Sequence, residues 1–501
     1  MSLAVLGSCA LVGLAAPAVR VEVHLAPGLP AFQIVGLPDT EVRESRERVR
    51  AALQSSGYEF PAGRLTANLS PADLPKESSR FDLPIALGVL LASGQLQLPD
   101  GAQGQQALAQ DIFAGELSLS GMLVPVAGAL GLALAAADAG ARLYMPLQSA
   151  RVAANVPGLA VVGASSLQGL VHHLEAKEML PPVQPAPLAQ AASLPCLADV
   201  RGQEAARRAL EIAAAGEHGL LMIGPPGAGK SMLAQRLPGL LPPLAPRQAL
   251  EAAALAGLLH HRPVLCGQAP FRAPHHSVST AALVGGGSRP RPGEITLAHH
   301  GVLFLDELPE FNRTALEALR EPLETGEVAI ARAAGRVVYP ARFQLVAAMN
   351  PCPCGWLGHS TRVCRCSPEG RERYRARLSG PLLDRIDLQL ELPATEANWL
   401  ALPPGEASGP VRERVAAARS RQMARQECSN ARLAPARLRE ACRLAPAAQS
   451  LLEDAMRRLG WSARAAHRVM GVARTIADLD KAEAVQAVHM AQAVQYRRPL
   501  G

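Results

Sequence analysis

Residues 219–237 decide the fold class, and they read Gly219-Leu-Leu-Met-Ile-Gly-Pro-Pro-Gly-Ala-Gly-Lys-Ser-Met-Leu-Ala-Gln-Arg-Leu237. The apolar residues at the start of this stretch predict a short buried strand, and those at its end predict a helix. Between them stands the pattern Gly-x-x-x-x-Gly-Lys-Ser, which in a strand-to-helix context is the signature of a phosphate-binding P-loop. The sequence therefore predicts an α/β fold in which a parallel sheet carries a nucleotide site.

The residue types of this loop suit phosphate chemistry. Glycines let backbone N–H groups turn towards phosphate oxygens, and the start of the following helix adds the positive end of its dipole. Lys230 is expected to reach the β- and γ-phosphates of ATP, and the Ser231 hydroxyl to ligate Mg²⁺. The predicted nucleotide-binding residues of the loop are Gly224, Pro225, Pro226, Gly227, Ala228, Gly229, Lys230 and Ser231.

Two later strands end in polar residues that complete such a site. Val302-Leu-Phe-Leu305 is followed by Asp306 and Glu307. Asp306 is expected to hold the magnesium shell, and Glu307 to polarise the attacking water. The strand Phe343-Gln-Leu-Val-Ala-Ala-Met349 ends at Asn350, whose amide can orient water beside the γ-phosphate, a role called sensor 1. The alternative interpretations are an acidic turn at Asp306 and Glu307 and an ordinary loop residue at Asn350. Because these residues follow strands downstream of a P-loop, the sequence favours roles in ATP hydrolysis.

Four segments together resemble the magnesium-chelatase-like AAA+ family, and within it the ComM/YifB branch of competence-associated proteins. They are the P-loop, Leu305-Asp-Glu-Leu308, Ala348-Met-Asn-Pro-Cys-Pro-Cys354 and Leu378-Ser-Gly-Pro-Leu-Leu-Asp-Arg-Ile-Asp387. The similarity runs from about Ala4 to Arg498. It implies an AAA+ P-loop α/β core with a parallel sheet, followed by a C-terminal helical lid.

The resemblance also implies roles for two arginines. Arg385 would be an arginine finger that reaches a neighbouring subunit's γ-phosphate, where it neutralises developing charge and makes hydrolysis depend on assembly. The other interpretation of Arg385 is a surface pair with Asp384. Arg464 lies where Ser462-Ala-Arg464 opens a helix and would be the sensor 2 arginine, with Arg468 one turn later as the alternative.

Two further segments resemble insertions of this family. Residues 271–287 resemble the insertion in helix 2 that points into a central pore. Residues 326–340 form two alternating runs about Ala333-Ala-Gly335, a pattern that predicts a hairpin. Arg332 and Arg336 flank its tip and can contact a DNA phosphate backbone. Exposed hairpins also carry charge for solubility, so this alternative stays open.

Four of the nine cysteines lie within fifteen residues. Such an uneven distribution is unlike a secreted disulfide framework and favours a reducing cytosol. Cys352, Cys354, Cys364 and Cys366 form two Cys-x-Cys pairs whose thiolates suit a tetrahedral structural zinc site. The spacing is tighter than the usual two-residue gap, so four reduced thiols in a loop are the alternative. His359 is a possible replacement for one ligand.

Residues 20–175 resemble the Lon-protease-like α+β domain found at the front of this family, but without its chemistry. Pro84 and Ile85 stand where the resemblance places the nucleophilic serine, and no lysine occurs between Lys76 and Lys177. A Ser–Lys dyad requires both groups. The sequence therefore predicts an inactive protease fold that serves as an assembly or DNA-facing collar.

Composition predicts the limits of the domains. They are a Lon-protease-like domain at 1–180, a Pro/Ala-rich linker at 181–195, the AAA+ core at 196–395 and the helical lid at 396–501. Hydrophobic residues make up 49% and charged residues 19%, as in folded chains. The apolar residues 2–18 imitate a signal peptide but lack a basic start and lead directly into the strand-like alternation of residues 19–25, so we interpret them as the first strands of a domain. We expect no membrane span.

These features lead to one leading hypothesis and two alternatives. The first is a cytoplasmic hexameric ring that uses ATP and Mg²⁺ to translocate on branched or single-stranded DNA. The resemblance implies a helicase that drives branch migration and recombination during natural transformation, and the net charge of +7 is compatible with a polyanion partner. The alternatives are a magnesium-chelatase-type ATPase subunit and a chaperone, both acting on a protein. The Lon-like domain and the cysteine cluster favour the DNA motor.

Overall fold

The computed structural model describes residues 2–74, 76, 78–187, 193–259, 266–287, 290–332, 335–359, 361–394 and 401–497. The predicted hairpin tip at 333–334, the middle of the linker and Arg498 lie outside these ranges, and only the backbone of Arg332 is described. No helix within the described ranges has both the length and the apolar character needed to cross a membrane.

The N-terminal region is a mixed α/β domain. Its strands are β1 (Ser2–Cys9), β2 (Ala18–Ala26), β3 (Ala31–Val35), β4 (Arg64–Ser70), β5 (Ile112–Phe113), β6 (Glu116–Leu117), β7 (Leu123–Val124), β8 (Leu143–Pro146) and β9 (Val161–Ala164). Its helices are α1 (Thr40–Ser55), α2 (Asp82–Ala92), α3 (Gly101–Leu108), α4 (Ala129–Ala139), α5 (Leu147–Ala153) and α6 (Leu167–Leu174). Seven strands form one sheet in the order β3-β4-β2-β1-β5-β8-β9, and β6 pairs with β7.

The strands predicted at the start of the chain are confirmed. β1 pairs antiparallel with β2, and Val19, Val21 and Val23 of β2 are buried in alternation, as the sequence pattern predicts. Helix α2 contains Pro84 and Ile85, and every one of its residues is buried. The segment that resembles a protease nucleophile region is therefore part of a hydrophobic core.

The central region contains the parallel sheet. Its strands are β10 (Leu220–Ile223), β11 (Phe271–Arg272), β12 (Gly285–Gly286), β13 (Arg291–Pro292), β14 (Val302–Leu305), β15 (Glu327–Arg332), β16 (Gly335–Pro340), β17 (Gln344–Met349) and β18 (Leu388–Glu391). Its helices are α7 (Glu204–Gly216), α8 (Lys230–Arg236), α9 (Pro246–Gly257), α10 (Thr280–Val284), α11 (Glu294–Leu297), α12 (Arg313–Glu317), α13 (Arg320–Thr325), α14 (Pro368–Arg375) and α15 (Gly380–Leu383).

Five of these strands form one sheet in the order β11-β14-β17-β10-β18, and every neighbouring pair is parallel. All residues of β10, β14 and β17 are buried, as expected for a parallel sheet covered on both faces. The strands therefore end together at one edge, here called the C-terminal edge, and begin together at the opposite N-terminal edge. The predicted hairpin is confirmed as the antiparallel pair β15–β16.

The C-terminal region is helical, as predicted. It consists of α16 (Ser408–Gln426), α17 (Pro435–Cys442), α18 (Pro446–Leu459), α19 (Ala463–Leu479) and α20 (Ala487–Gln495). Val411, Val415 and Ala418 of α16 are buried in the same core as α7. Helix α16 begins at Ser408 and includes Pro410 in its first turn. Pro410 is tolerated there, since the first turn of a helix has no partner for the missing N–H.

The N-terminal domain packs against the central region at two places. Leu250, Ala253 and Ala254 of α9 share a buried cluster with residues of α4, and Arg247 pairs with Asp138 at 3.2 Å. The second contact is the turn at Gly13, where an added Cβ would lie 2.9 Å from the Val338 carbonyl oxygen of β16. The first domain thus contacts the hairpin directly.

Candidate active site

The P-loop joins β10 to α8 at the C-terminal edge of the sheet. Gly227 and Gly229 adopt φ angles of 80° and 84°, in the left-handed region that glycine enters without strain. An added Cβ at Gly224 would lie 2.9 Å from Leu392, so this position also needs glycine. The predicted strand–loop–helix arrangement is therefore present, with α8 starting at Lys230.

Lys230 is held inside the loop. Its Nζ donates to the carbonyl oxygens of Gly224 at 2.7 Å and Pro225 at 3.0 Å, and to Asn350 Oδ1 at 3.1 Å. Burial lowers the pKa of Lys230, while the negative charges of Asp306 and Glu307 act in the opposite direction. The predicted sensor 1 amide and the P-loop ammonium therefore contact each other across β10 and β17.

Ser231 and Asp306 meet at the same edge. The Ser231 hydroxyl donates to Asp306 Oδ2 at 2.5 Å, and Asp306 Oδ1 accepts from the backbone N–H of Glu307 at 2.9 Å. Hydroxyl and carboxylate oxygens are the ligands that Mg²⁺ prefers in proteins. The donor set therefore fits the magnesium ion that accompanies ATP.

Glu307 has a partner that the sequence did not reveal. The residue adopts a left-handed backbone with φ 53°, and its side chain is 54% exposed. Its Oε2 lies 3.0 Å from His276 Nδ1. His276 belongs to the 271–287 segment and follows β11, which is adjacent to β14 in the sheet. Strand order could have predicted the contact, because residues that follow neighbouring parallel strands meet at one edge.

The four cysteines predicted to bind zinc lie together after Asn350. The Sγ atoms of Cys352, Cys354 and Cys364 are 3.4–3.6 Å apart, and all four Sγ atoms, including that of Cys366, lie within 4.8 Å of one another. Four thiolates at tetrahedral Zn–S distances of about 2.3 Å stand about 3.8 Å apart. The cluster therefore fits zinc. His359 lies outside this group, and its Nδ1 accepts from the backbone N–H of Thr361 at 3.1 Å.

The cysteine loop contacts the P-loop. A Cβ added to Gly355, one residue after Cys354, would lie 2.6 Å from Pro226 Cδ and 3.7 Å from Asn350 Cγ. Gly355 also has φ 81°, a second reason for glycine at this position. The loop that contains the cysteine cluster thus packs directly against the P-loop.

The predicted arginine finger and the predicted sensor 2 arginine lie at the other edge of the sheet. Arg385 precedes β18, and Arg464 is in the first turn of α19, whose N-cap is Ser462. Both line a cavity of about 870 Å³ between the sheet and the helical lid. Of the residues described, none that lines this cavity belongs to the P-loop. Arg385 and Arg464 both pair with Glu324 Oε1, at 2.6 Å and 3.0 Å.

The alternatives considered for these arginines have other partners. Asp384, proposed as a surface partner of Arg385, pairs instead with Arg497 at 3.1 Å. Arg468 pairs with the buried Asp387 at 2.8 Å. Although burial opposes the charged form, Arg468 and His218 hold the pKa of Asp387 at about 2. Arg468 is therefore part of a buried ion pair, whereas the side chain of Arg464 is 55% exposed.

The two arginines predicted to contact DNA lie near the tip of the hairpin. Arg336 is exposed on β16, and the backbone of Arg332 ends β15 directly opposite Gly335. Tyr339, farther along β16, is buried and donates from its hydroxyl to the Pro290 carbonyl oxygen at 2.9 Å. The hairpin is therefore anchored at its base and charged towards its tip.

A second cluster of metal-ligating residue types, Glu251, His299 and His300, is better explained as a hydrogen-bonded group. His299 Nδ1 accepts from the backbone N–H of Arg342 at 3.0 Å. A neutral imidazole that accepts at Nδ1 carries its proton on Nε2, which here faces Glu251. His300 Nε2 also lies 2.8 Å from this carboxylate. The arrangement satisfies Glu251 without a metal ion.

Comparison with known proteins covers almost the whole chain. Residues 21–149, 196–400 and 405–497 match family models described as subunit ChlI of Mg-chelatase, magnesium chelatase subunit ChlI, and the C-terminal part of that subunit. The chain is 47% identical to YifB of Escherichia coli (strain K12) over 502 residues, which cover 99% of this chain and 97% of YifB. It is 46% identical to the competence protein ComM of Haemophilus influenzae over 507 residues, with 99% and 98% covered. YifB of Salmonella typhimurium is 47% identical over 506 residues, with 99% and 97% covered.

Proposed function

The chain belongs to the magnesium chelatase ChlI-like family of ATPases, and from this premise we propose that it is a ring-forming motor that remodels branched DNA. The observation that carries the proposal is the division of the predicted catalytic residues between opposite edges of the parallel sheet. One edge has the residues that bind and hydrolyse ATP, and the other has two arginines suited to a neighbour's triphosphate.

We assign phosphate binding and the activation of water to residues at the C-terminal edge. Mg²⁺-ATP, when bound, supplies the γ-phosphoryl group and a divalent cation that neutralises phosphate charge. Lys230 donates hydrogen bonds from inside the loop, while Ser231 and Asp306 offer oxygen ligands. Glu307 accepts a proton from the attacking water, and Asn350 orients that water. His276 holds the Glu307 carboxylate in place.

Neutralisation of the charge that develops on the γ-phosphate by Arg385 requires another subunit. β10 runs from one edge of the sheet to the other over four residues, about 13 Å, before either connecting loop is counted. Arg385 therefore cannot reach the phosphates held by its own P-loop. A closed ring brings the N-terminal edge of one subunit to the C-terminal edge of the next, and heterologous contacts of this kind generate rings. We propose six subunits, as the family resemblance implies.

We assign DNA contact to the hairpin β15–β16. Arg336 is exposed there, and cations that track a phosphate backbone bind without sequence preference. The identity of 46% with a competence protein over nearly the full chain supports a role in the uptake or recombination of DNA. The proposed activity is therefore that of a helicase in branch migration during natural transformation. The N-terminal domain serves as a collar, and the cysteine cluster binds a structural zinc ion.

One experiment separates a DNA motor from a machine that acts on a protein. The ATPase rate is measured with and without forked or four-way-junction DNA, together with displacement of a labelled strand. We expect DNA to stimulate hydrolysis and strands to be displaced. An Arg332→Ala/Arg336→Ala variant should lose this response and reduce the salt slope of DNA binding by about two, one for each phosphate contact.

The matched control is Arg412→Ala, which removes an exposed arginine at the start of α16 far along the chain from the hairpin. It should leave stimulation and salt slope unchanged. If the ATPase rate does not change on addition of DNA and no strand is displaced, the result would instead favour a protein client, such as that of a chelatase ATPase subunit.

A further inference from the structure

Glu324 stands between the two arginines of the N-terminal edge. It lies on the short helix α13, and its Oε1 is 2.6 Å from Arg385 Nη2 and 3.0 Å from Arg464 Nη2. One carboxylate oxygen therefore joins a residue that precedes β18 to a residue of the helical lid. No sequence pattern predicts this contact, since Glu324 belongs to none of the motifs that identify the site.

The other acidic residues that line the same cavity pair with other basic residues. Among the described residues, Asp387 pairs with Arg468 and His218, and Glu217 pairs with Arg419 and Arg432. The side chain of Asp387 is 2% exposed, whereas that of Glu324 is 41% exposed. Glu324 is therefore the acid placed where a neighbouring subunit can approach.

Arg385 depends on Glu324 for its position. Its side chain is only 5% exposed, and Nη1 donates to the Pro381 carbonyl oxygen at 2.6 Å. Its Nε is buried and has no hydrogen-bond partner among the described residues. A buried guanidinium without a carboxylate partner is strongly unfavourable. Glu324 supplies that charge and so fixes the direction of the planar donor group.

The position of Glu324 also links the arginines to the hairpin. Helix α13 ends at Thr325, and β15 begins two residues later at Glu327. The Ala341 backbone N–H, just after β16, donates to the Gly326 carbonyl oxygen at 2.7 Å and closes the base of the hairpin. A displacement of this base therefore moves the carboxylate that holds both guanidinium groups.

We propose that Glu324 is a positioning residue that holds Arg385 and Arg464 side by side for one triphosphate of the neighbouring subunit. This inference rests on the proposed function, in which Arg385 acts in trans. Glu324 does not touch the nucleotide. It orients two donors and ties them to the root of the hairpin.

The test uses mixed assemblies of full-length subunits. Glu307→Gln subunits keep their arginines but cannot activate water, and Arg385→Ala subunits keep their ATP site but lack the finger. Neither hydrolyses ATP at a normal rate alone, and mixing them restores active interfaces. Glu324→Gln is then added either to the arginine donor or to the ATP-site donor, and kcat and KM of the mixture are measured.

We expect Glu324→Gln in the arginine donor to lower the restored kcat about tenfold or more, because misplaced donors lose transition-state contacts. KM for ATP should hardly change. The same substitution in the ATP-site donor should have no effect, and Glu324→Asp in the arginine donor should recover part of the activity. Glu321→Gln, on the same helix and exposed, is the matched control. Thermal unfolding confirms that all variants fold.

Two results would overturn the inference, and they differ from each other. If restored activity is the same whichever subunit carries Glu324→Gln, Glu324 does not position the arginines, while the trans mechanism stands. If the mixture without Glu324→Gln restores no activity, the trans mechanism itself fails and the inference fails with it.

Discussion

The two edges of the central sheet differ in how their residues are brought together. At the C-terminal edge, Asp306 and Asn350 each follow a strand directly, and Lys230 begins α8 at the end of the loop that follows β10, so short motifs contain both the side chain and the element that places it. At the N-terminal edge, Glu324, Arg385 and Arg464 come from a short helix, a loop and the lid, and they meet only through tertiary packing.

This difference supports the proposal that each edge is half of a site. The C-terminal edge gathers the groups that we propose to bind phosphate and activate water, but Arg385 and Arg464 do not lie there. The N-terminal edge has both arginines of that pair in a cavity beyond the reach of its own P-loop. In the proposed mechanism a complete set of groups comes from two copies of the chain, and the following predictions test this separation.

The largest effect is expected at the N-terminal edge. Arg385→Ala should lower kcat by about 10³-fold or more, the usual contribution of an arginine finger. ATP binding to the variant's own P-loop should stay normal, because that loop lies at the opposite edge. Steady-state hydrolysis and binding of a fluorescent ATP analogue measure the two quantities separately.

Lys230→Ala is the matching change at the C-terminal edge and should abolish nucleotide binding itself. If Arg385→Ala weakened binding as severely as Lys230→Ala does, the two residues would share a site within one chain. The comparison of the two edges would then be wrong.

A smaller effect is expected from the cysteine cluster, which supports the C-terminal edge through Gly355. Cys364→Ser/Cys366→Ser should remove a stoichiometric zinc ion, detected by elemental analysis, and raise KM for ATP about tenfold by displacing the P-loop contact. Cys266→Ser, at a half-buried cysteine outside the cluster, should change neither quantity. If the wild-type protein contains no stoichiometric zinc, the proposed zinc site is wrong.

A separate effect, on stability and not on activity, is expected at His299 on the N-terminal edge. Burial, above all, lowers the pKa of His299 from 6.5 to about 4. Between these values the unfolded side chain takes up a proton and the folded one does not, so acid favours unfolding. The free energy of unfolding should fall by about 3 kcal/mol from this residue as the pH drops from 6.5 to 4.

Urea unfolding at pH 7 and at pH 4.5 measures this dependence. His299→Asn keeps an acceptor for the Arg342 N–H but cannot be protonated, so its stability should vary less with pH. If the free energy of unfolding of His299→Asn depends on pH as strongly as that of the wild type, His299 is not the group whose protonation lowers stability.

The sequence predicted the parts of the molecule that depend on local patterns. Alternating and continuous apolar runs indicated β2, β10, β14 and β17, and the P-loop fixed the parallel sheet around them. The hairpin β15–β16 followed from its two alternating runs. The Cys-x-Cys pairs indicated four thiols that the structure does bring together.

Contacts between distant segments could not be predicted in the same way. Glu324 is a single acid on a six-residue helix, so no motif or periodicity distinguishes it from Glu321 on the same helix. His276 required the order of strands, which one sequence does not contain. The catalytic roles of Glu307 and Asn350, and the limits of the domains, stay predictions that the experiments above address.

The turn at Gly13 has a mechanical consequence for the hairpin. Gly13 has φ 70°, and a side chain there would collide with the backbone of Val338, so the two segments meet main chain against main chain. Closely packed backbones resist compression far more than separation. The first domain therefore blocks movement of the hairpin towards it at this turn. Movement of the hairpin away from the first domain would separate Leu14 from the apolar cluster against which Val337 of the hairpin also packs.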